Sequence, residues 1–217
     1  MPELKFYYFD LAGKGEGIRL ACTVGKLPFE DIRLTREQFM EMKTSGELPY
    51  GQVPALSVDG KLLCQSGAIL RYIGKKTGQY PTDDVQAAIV DGLLAQEGDM
   101  FTATSCARYQ DRFGFSALGG ADSELTKTVE KAIAEEVMPK HLGFLEKVLG
   151  DSATGCLAGT EGPSPADFQF VPRLQWINSG TVSGIPAGIL DSYPKVTALV
   201  NKLMELPEVK AYYASKK

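Results

Sequence analysis

Two textures divide the chain. From Leu4 to Phe9 the run LKFYYF is aromatic and predicts a strand. Gly13 to Gly17 break it, and Ile18, Ala21, Cys22 and Val24 then recur at helical spacing until Pro28 stops the helix. Phe29 to Leu34 alternates in part and predicts a second strand, and Glu37 to Lys43 a short helix. Ala55–Val58 and Lys61–Cys64 flank Asp59-Gly60, a pair that accepts positive φ, so they predict a hairpin. Ser66 to Thr77 is helical, with Ile69, Tyr72 and Ile73 on one face. A strand, a helix and a strand in succession imply a right-handed parallel crossover, and the hairpin adds antiparallel strands to the same sheet.

From residue 79 the pattern changes. Gln79-Tyr80-Pro81-Thr82 reads as a linker, and Asp83 with Gln86 three residues later resembles a capping box. Ile89, Leu93, Gln96, Met100 and Ala107 trace one side of a helix running to about Phe113. Gly114 to Asp122 is a glycine-rich loop. Glu124 to Leu149 predicts a second long helix, bent at Pro139. Ser164-Pro165-Ala166-Asp167 opens a third, with Ser at the cap, Pro at the first helical position and Asp in the first turn. Pro194–Leu206 and Glu208–Ala214 supply shorter ones. The expected organisation is an α/β domain over residues 1–78, a linker over 79–84 and an all-helical domain over 85–217.

Composition narrows the function. Apolar residues make up 44% and charged residues 23% of the 217, the usage of an ordinary globular protein. No apolar run approaches the ~20 residues that cross a bilayer, and the opening Met1-Pro2-Glu3-Leu4-Lys5 lacks a signal-peptide layout. A cytoplasmic location is therefore expected. Cys22, Cys64, Cys106 and Cys156 form no C-x-x-C, so they read as small buried apolar residues rather than a redox dithiol. The single histidine, His141, excludes metal sites built on two or more histidines, and no metal is expected. Net charge is −4, and residues 1–80 carry 11 basic against 9 acidic side chains while the remainder carries 12 against 18. No basic patch with interleaved aromatics points to nucleic acid; the mildly basic first part suits a small anionic ligand.

Three places in the α/β domain can hold one. Val53-Pro54 precedes a strand; a cis bond there would leave the Val53 backbone free to pair with an extended peptide, although a plain turn proline fits equally well. Gln65-Ser66 opens a helix whose free N–H groups attract carboxylates, and Ser66 also reads as a simple N-cap. Tyr7 and Tyr8 end the first strand, where α/β proteins bind ligands; a core aromatic is the competing reading.

Taken together, Tyr8, the run Leu48-Pro49-Tyr50-Gly51-Gln52-Val53-Pro54, the Asp59-Gly60 hairpin and Gln65-Ser66 resemble the cytosolic glutathione S-transferases, closest to their tyrosine-dependent pi and sigma classes. Ile69-Leu70-Arg71-Tyr72-Ile73-Gly74 and Ser164-x-x-Asp167 extend the likeness over nearly the whole chain. The resemblance implies a thioredoxin-like domain followed by a helical bundle, glutathione as co-substrate, and a homodimer. It implies that Tyr8 hydrogen-bonds the glutathione sulfur, that Gln65 and Ser66 take the γ-glutamyl end, and that Val53, before Pro54 and beside Gln52, pairs with the cysteinyl backbone. Lys43 would meet the glycyl carboxylate, Asp99 the γ-glutamyl amine of the neighbouring subunit, and Tyr50 would insert into the partner. Phe9, Leu11, Cys106 and Tyr109 would line a pocket for hydrophobic electrophiles, with Tyr109 as a second acid. Two positions depart from the family. Lys14 stands where arginine is common, losing the bidentate fork. Phe39 stands where tryptophan is usual, and phenylalanine cannot donate a hydrogen bond. The implied activity is glutathione transfer to electrophiles; a sigma-like prostaglandin isomerase, a peroxidase, or a non-catalytic binding or crystallin-like relative are the alternatives.

Overall fold

The computed structural model describes residues 2–216. Four strands form one sheet in the order β2-β1-β3-β4: β1 (Leu4–Phe9), β2 (Glu30–Leu34), β3 (Ala55–Val58) and β4 (Lys61–Cys64). Strand β1 pairs parallel with β2, setting Tyr8 opposite Arg33, and antiparallel with β3, setting Tyr7 opposite Ala55. Along β1 the alternation puts Leu4, Phe6 and Tyr8 inside. Asp59 and Gly60, both at positive φ, close the β3–β4 hairpin as their sequence predicts.

Helices α1 (Glu16–Val24) and α3 (Ser66–Thr77) pack together and α2 (Arg36–Thr44) connects β2 to the hairpin. Thr35 caps α2 in a reciprocal box with Gln38. The second half holds α4 (Asp84–Arg108), α5 (Gln110–Phe113), α6 (Glu124–Ala132), α7 (Met138–Asp151), α8 (Pro165–Asn178), α9 (Pro194–Met204) and α10 (Pro207–Ala214). At its centre is α8, whose Phe168, Phe170, Val171, Leu174 and Ile177 are fully buried. Helix α8 packs on α1, α3, α4 and α9, so its first turns join the sheet domain to the bundle.

Two helices predicted as continuous are interrupted. The first ends at Arg108 because Tyr109 leaves helical geometry, at φ −117° and ψ 53°. Gln110 then turns inward: its Nε2 donates to the Ala107 carbonyl and to Thr126 Oγ1, and its Oε1 accepts from Gly120 N–H. One buried glutamine thus ties the glycine-rich loop to both flanking helices. The second long helix carries a π-helical stretch, Ile133–Val137, just before Pro139. Proline has no N–H for the carbonyl four residues back, and the chain widens there rather than simply bending. The four cysteines are all free; Cys22 and Cys156 are buried as expected, but Cys64 and Cys106 are only half-buried.

Candidate functional site

Tyr8 leaves β1 beside the Gly13–Gly17 loop, and that loop is built around its ring. A Cβ at Gly13 would stand 2.4 Å from the Tyr8 hydroxyl, and one at Gly15 would stand 2.4 Å from Tyr8 Cδ1. Only glycine admits such an approach, and Gly13 also sits at φ +41°. In return the loop supplies a hydrogen bond: Lys14 N–H donates to the Tyr8 hydroxyl at 3.0 Å. With a lone pair engaged, the hydroxyl keeps its own proton for a further acceptor. Burial pushes the Tyr8 hydroxyl above the usual tyrosine range; Tyr109 adds to the rise, while Lys14 N–H and the charges of Arg173 and Arg19 oppose it.

Arg19, fully buried on α1, fixes the start of this loop. Its guanidinium donates to the carbonyls of Leu11 at 2.8 Å and Phe9 at 3.1 Å, and pairs with Asp31 at 3.1 Å and Glu16 at 3.4 Å. It also lies over the rings of Phe6 and Tyr8. Lys14 contributes its backbone to the hydroxyl while its side chain stays exposed. Leu11 is exposed, and Phe9 packs edge-on to Phe39 with centroids 5.2 Å apart. Phe39 therefore closes an apolar corner.

The Val53-Pro54 bond is cis, and Val53 precedes the paired register of β3, which begins at Ala55. Gln52 is half-buried next to it, and the stem of Lys43 runs across Gly51, 3.4 Å from where a Cβ would stand. After the hairpin, Gln65 holds a positive φ of 72° and is exposed, while Ser66 is buried at the first turn of α3. Ser66 Oγ accepts from Gln169 Nε2 at 3.3 Å, and the same Nε2 donates to Glu97 Oε2 at 2.9 Å. Glu97 in turn pairs with Arg173 at 3.3 Å. The structure thus gathers Tyr8, Lys14, Phe9 and Phe39 around one loop, and Gln52, Val53 and Lys43 along one stretch. It sets Ser66 against the bundle. Asp99 is exposed and acts electrostatically on His141, whose Nδ1 lies 2.7 Å from Gln96 Nε2; Tyr50 is exposed as well. Tyr109 is exposed and Cys106 half-buried, near the end of α4. Trp176 packs beside Phe101, between Arg173 and Arg108. Among the described residues no group of three or more His, Cys, Asp or Glu side chains is placed to hold a metal ion, and no helix is long and apolar enough to cross a membrane.

Sequence reasoning missed Arg19, Glu97, Gln169 and Arg173. The one signal available was Arg173, the single charged residue in the stretch Phe168–Ile177.

A four-stranded mixed sheet with a tyrosine at the end of its first strand, a cis-proline before its third and a helical bundle behind it is the architecture of glutathione-dependent transferases. Known proteins agree. The sequence model described as "Glutathione S-transferase, N-terminal domain" matches residues 4–75, and the one described as "Glutathione S-transferase, C-terminal domain" matches residues 115–216. Glutathione S-transferase 1 of Ascaris suum is 32% identical over 216 residues, covering 100% of this chain and 98% of its own. Prostaglandin synthase D of Nilaparvata lugens superposes with a TM-score of 0.83 at 31% identity, over 100% of this chain and 99% of its own. Monomeric Na-GST-3 of the hookworm Necator americanus does so at 0.78 and 29% identity, over 99% and 98%. The chain belongs to the glutathione S-transferase family.

Proposed function

We propose that this chain binds glutathione at the Tyr8 loop and stabilises its thiolate for attack on hydrophobic electrophiles. One observation carries the reading: the Tyr8 hydroxyl accepts Lys14 N–H at 3.0 Å, which leaves its own proton free to be donated to a bound sulfur. The need for such a donor is quantitative. A free thiol titrates near pH 8.5, which leaves about 3% thiolate at neutral pH. Each unit of depression takes about 1.4 kcal/mol of preference for the anion, and a charge-assisted hydrogen bond in a partly dry site contributes about that much. Glutathione is then the nucleophile, and Tyr8 holds its charge.

Around that contact the remaining roles follow. Ser66 and Gln65 take the γ-glutamyl end at the N-terminus of α3, and Val53 and Gln52, next to Pro54, pair with the cysteinyl backbone. Lys43 is the cation for the glycyl carboxylate, because Phe39 offers no donor. Phe9, Leu11, Cys106 and Tyr109 face the electrophile. The glutathione domain spans residues 1–78, with a linker at 79–84 and the helical domain at 85–217. We place the chain nearest the pi and sigma classes, in the cytoplasm, as a homodimer in which Tyr50 enters the partner and Asp99 reaches across to it. A second reading has support in a relative: the prostaglandin synthase of Nilaparvata lugens matches over 100% of this chain, so the same thiolate serving an isomerisation is the alternative activity.

The test is conjugation of glutathione to a generic aryl halide by wild type and Tyr8→Phe. The variant should fold and bind glutathione but lose activity by about 100- to 1000-fold, the range of a removed oxyanion-type donor. A folded wild type that neither conjugates nor binds glutathione overturns the proposal. For the quaternary reading, sedimentation should give a dimer that Tyr50→Ala weakens. A monomer, as the hookworm relative is described, would remove the roles given to Tyr50 and Asp99.

A further inference from the structure

A small polar cavity of about 10 Å³ lies under the Tyr8 loop, between the two domains. That is room for about one water molecule. Gly13, Lys14 and Gly17 line it on the loop side, and Glu97, Gln169 and Arg173 from the bundle. Glu97 is almost wholly buried and Arg173 nearly so. Their 3.3 Å approach is an ion pair, yet Glu97 Oε1 and Arg173 Nε have no hydrogen-bond partner among the described residues. An arginine placed this way costs desolvation, and its burial pulls its own pKa below the ordinary value. It is pinned over Phe101 at 4.1 Å and Trp176 at 4.5 Å, so it cannot swing out to solvent without leaving both rings.

Three cations stand near Tyr8, and they are not equivalent. The Lys14 side chain is exposed, and water and salt screen its charge. Arg19 is matched by two carboxylates, Asp31 and Glu16. Arg173 has one, Glu97, whose second oxygen is already occupied by Gln169. We propose that Arg173, reaching in from α8, is the positive charge of the thiol site: its field, set by the Glu97 that holds it, favours the anion of a sulfur bound at the Tyr8 hydroxyl. The inference rests on the thiolate reading of the same site and adds a bundle residue to it. The charge of Arg173 opposes the rise that burial imposes on the Tyr8 hydroxyl, as that of Arg19 does. The other groups facing Tyr8 are Lys14 N–H from the loop, Arg19 from α1 and Tyr109 after α4; those facing Arg173 are Glu97, Tyr8 and Tyr109. Arg173 and Glu97 are positioning residues, acting through Tyr8 and the bound sulfur.

The experiment is a pH titration of the ultraviolet thiolate absorbance of glutathione bound to wild type, Arg173→Gln, Arg173→Lys and Glu97→Gln. Arg173→Gln should raise the bound thiol pKa by about one unit, a tenfold fall in its ionisation constant. Arg173→Lys should stay near wild type. Glu97→Gln removes the counter-charge, keeps an acceptor for Gln169, and should lower the pKa. Opposite signs from the two partners of one ion pair are the signature of a field; a merely structural pair would give damage of one sign. Shifts of the same sign, or none, overturn the inference. If wild type binds no glutathione, the thiolate reading fails, and the Tyr8 hydroxyl itself is titrated in the ligand-free protein, by difference from Tyr8→Phe. There Arg173→Gln must raise, and Glu97→Gln lower, the tyrosine pKa, or the role of Arg173 falls as well.

Discussion

Gly17 of α1 and Phe168 of α8 meet through backbone alone: a Cβ on Gly17 would stand 2.1 Å from the Phe168 carbonyl oxygen. The contact joins the two domains directly beside the Tyr8 loop, and the carbonyl belongs to the first turns of α8, where Pro165 to Pro172 are all buried. Gly17→Ala must push α1 off α8 or distort both. The expected cost is about 3 kcal/mol, the upper end for overpacking, because backbone cannot rotate away as a side chain can. Urea unfolding would measure it. Gly98 on α4 has open space around its Cβ position and is the matched control. Gly98→Ala should be neutral or stabilising by up to about 1 kcal/mol.

Asp167 is a second point on which α8 depends. Its carboxylate, fully buried, accepts from Leu157 N–H, Ser164 N–H and Ser164 Oγ, each at 2.8 Å. These bonds close the N-terminus of α8 and tie it to the segment before it. Asp167→Ala leaves three buried donors unsatisfied and should cost about 3 kcal/mol or more. Thermal unfolding reads the loss. Hydrogen exchange should rise first at residues 157 and 164–168; a uniform rise over the whole chain would instead mean that the cap acts only globally.

The cysteines supply a test of burial without mutation. Burial pushes the Cys22 thiol up to about 12, and Cys156 is raised by the same cause despite the nearby Lys202 ammonium. Both are enclosed, and thiolate is the reactive form. A small alkylating reagent at pH 8 should label the half-buried Cys64 and Cys106 first, and Cys22 and Cys156 only on unfolding, as peptide mass mapping would show. Early labelling of Cys22 would contradict the packing of α1.

Local chemistry made much of this fold legible. Asp59-Gly60 announces its hairpin because positive φ is a property of those residues, and Ser164-Pro165 announces α8 because capping is local too. Tyr8 was visible as the end of an aromatic strand. The interruption at Tyr109 was not, because the cause is Gln110 folding back on Ala107, Thr126 and Gly120, residues that sequence spacing does not bring together. Glu97 and Arg173 were hidden for the same reason. Alone, each is a charge on a helix; only the packing of α4 against α8 makes them a buried pair facing the sheet domain. Asp99, two residues from Glu97, was singled out by the family resemblance and is exposed, while Glu97 is buried.

Gln65 carries a last consequence. At φ 72° and ψ 119° it occupies backbone space that suits glycine and costs another residue roughly 1–3 kcal/mol. Its side chain is exposed. On the role proposed for Gln65 at the γ-glutamyl end, folding stability and ligand capture pull this position in opposite directions. A collection of variants selected for heat resistance alone would drift toward glycine at 65, and one selected for glutathione would hold the glutamine. Residue 65 is where those two selections would part.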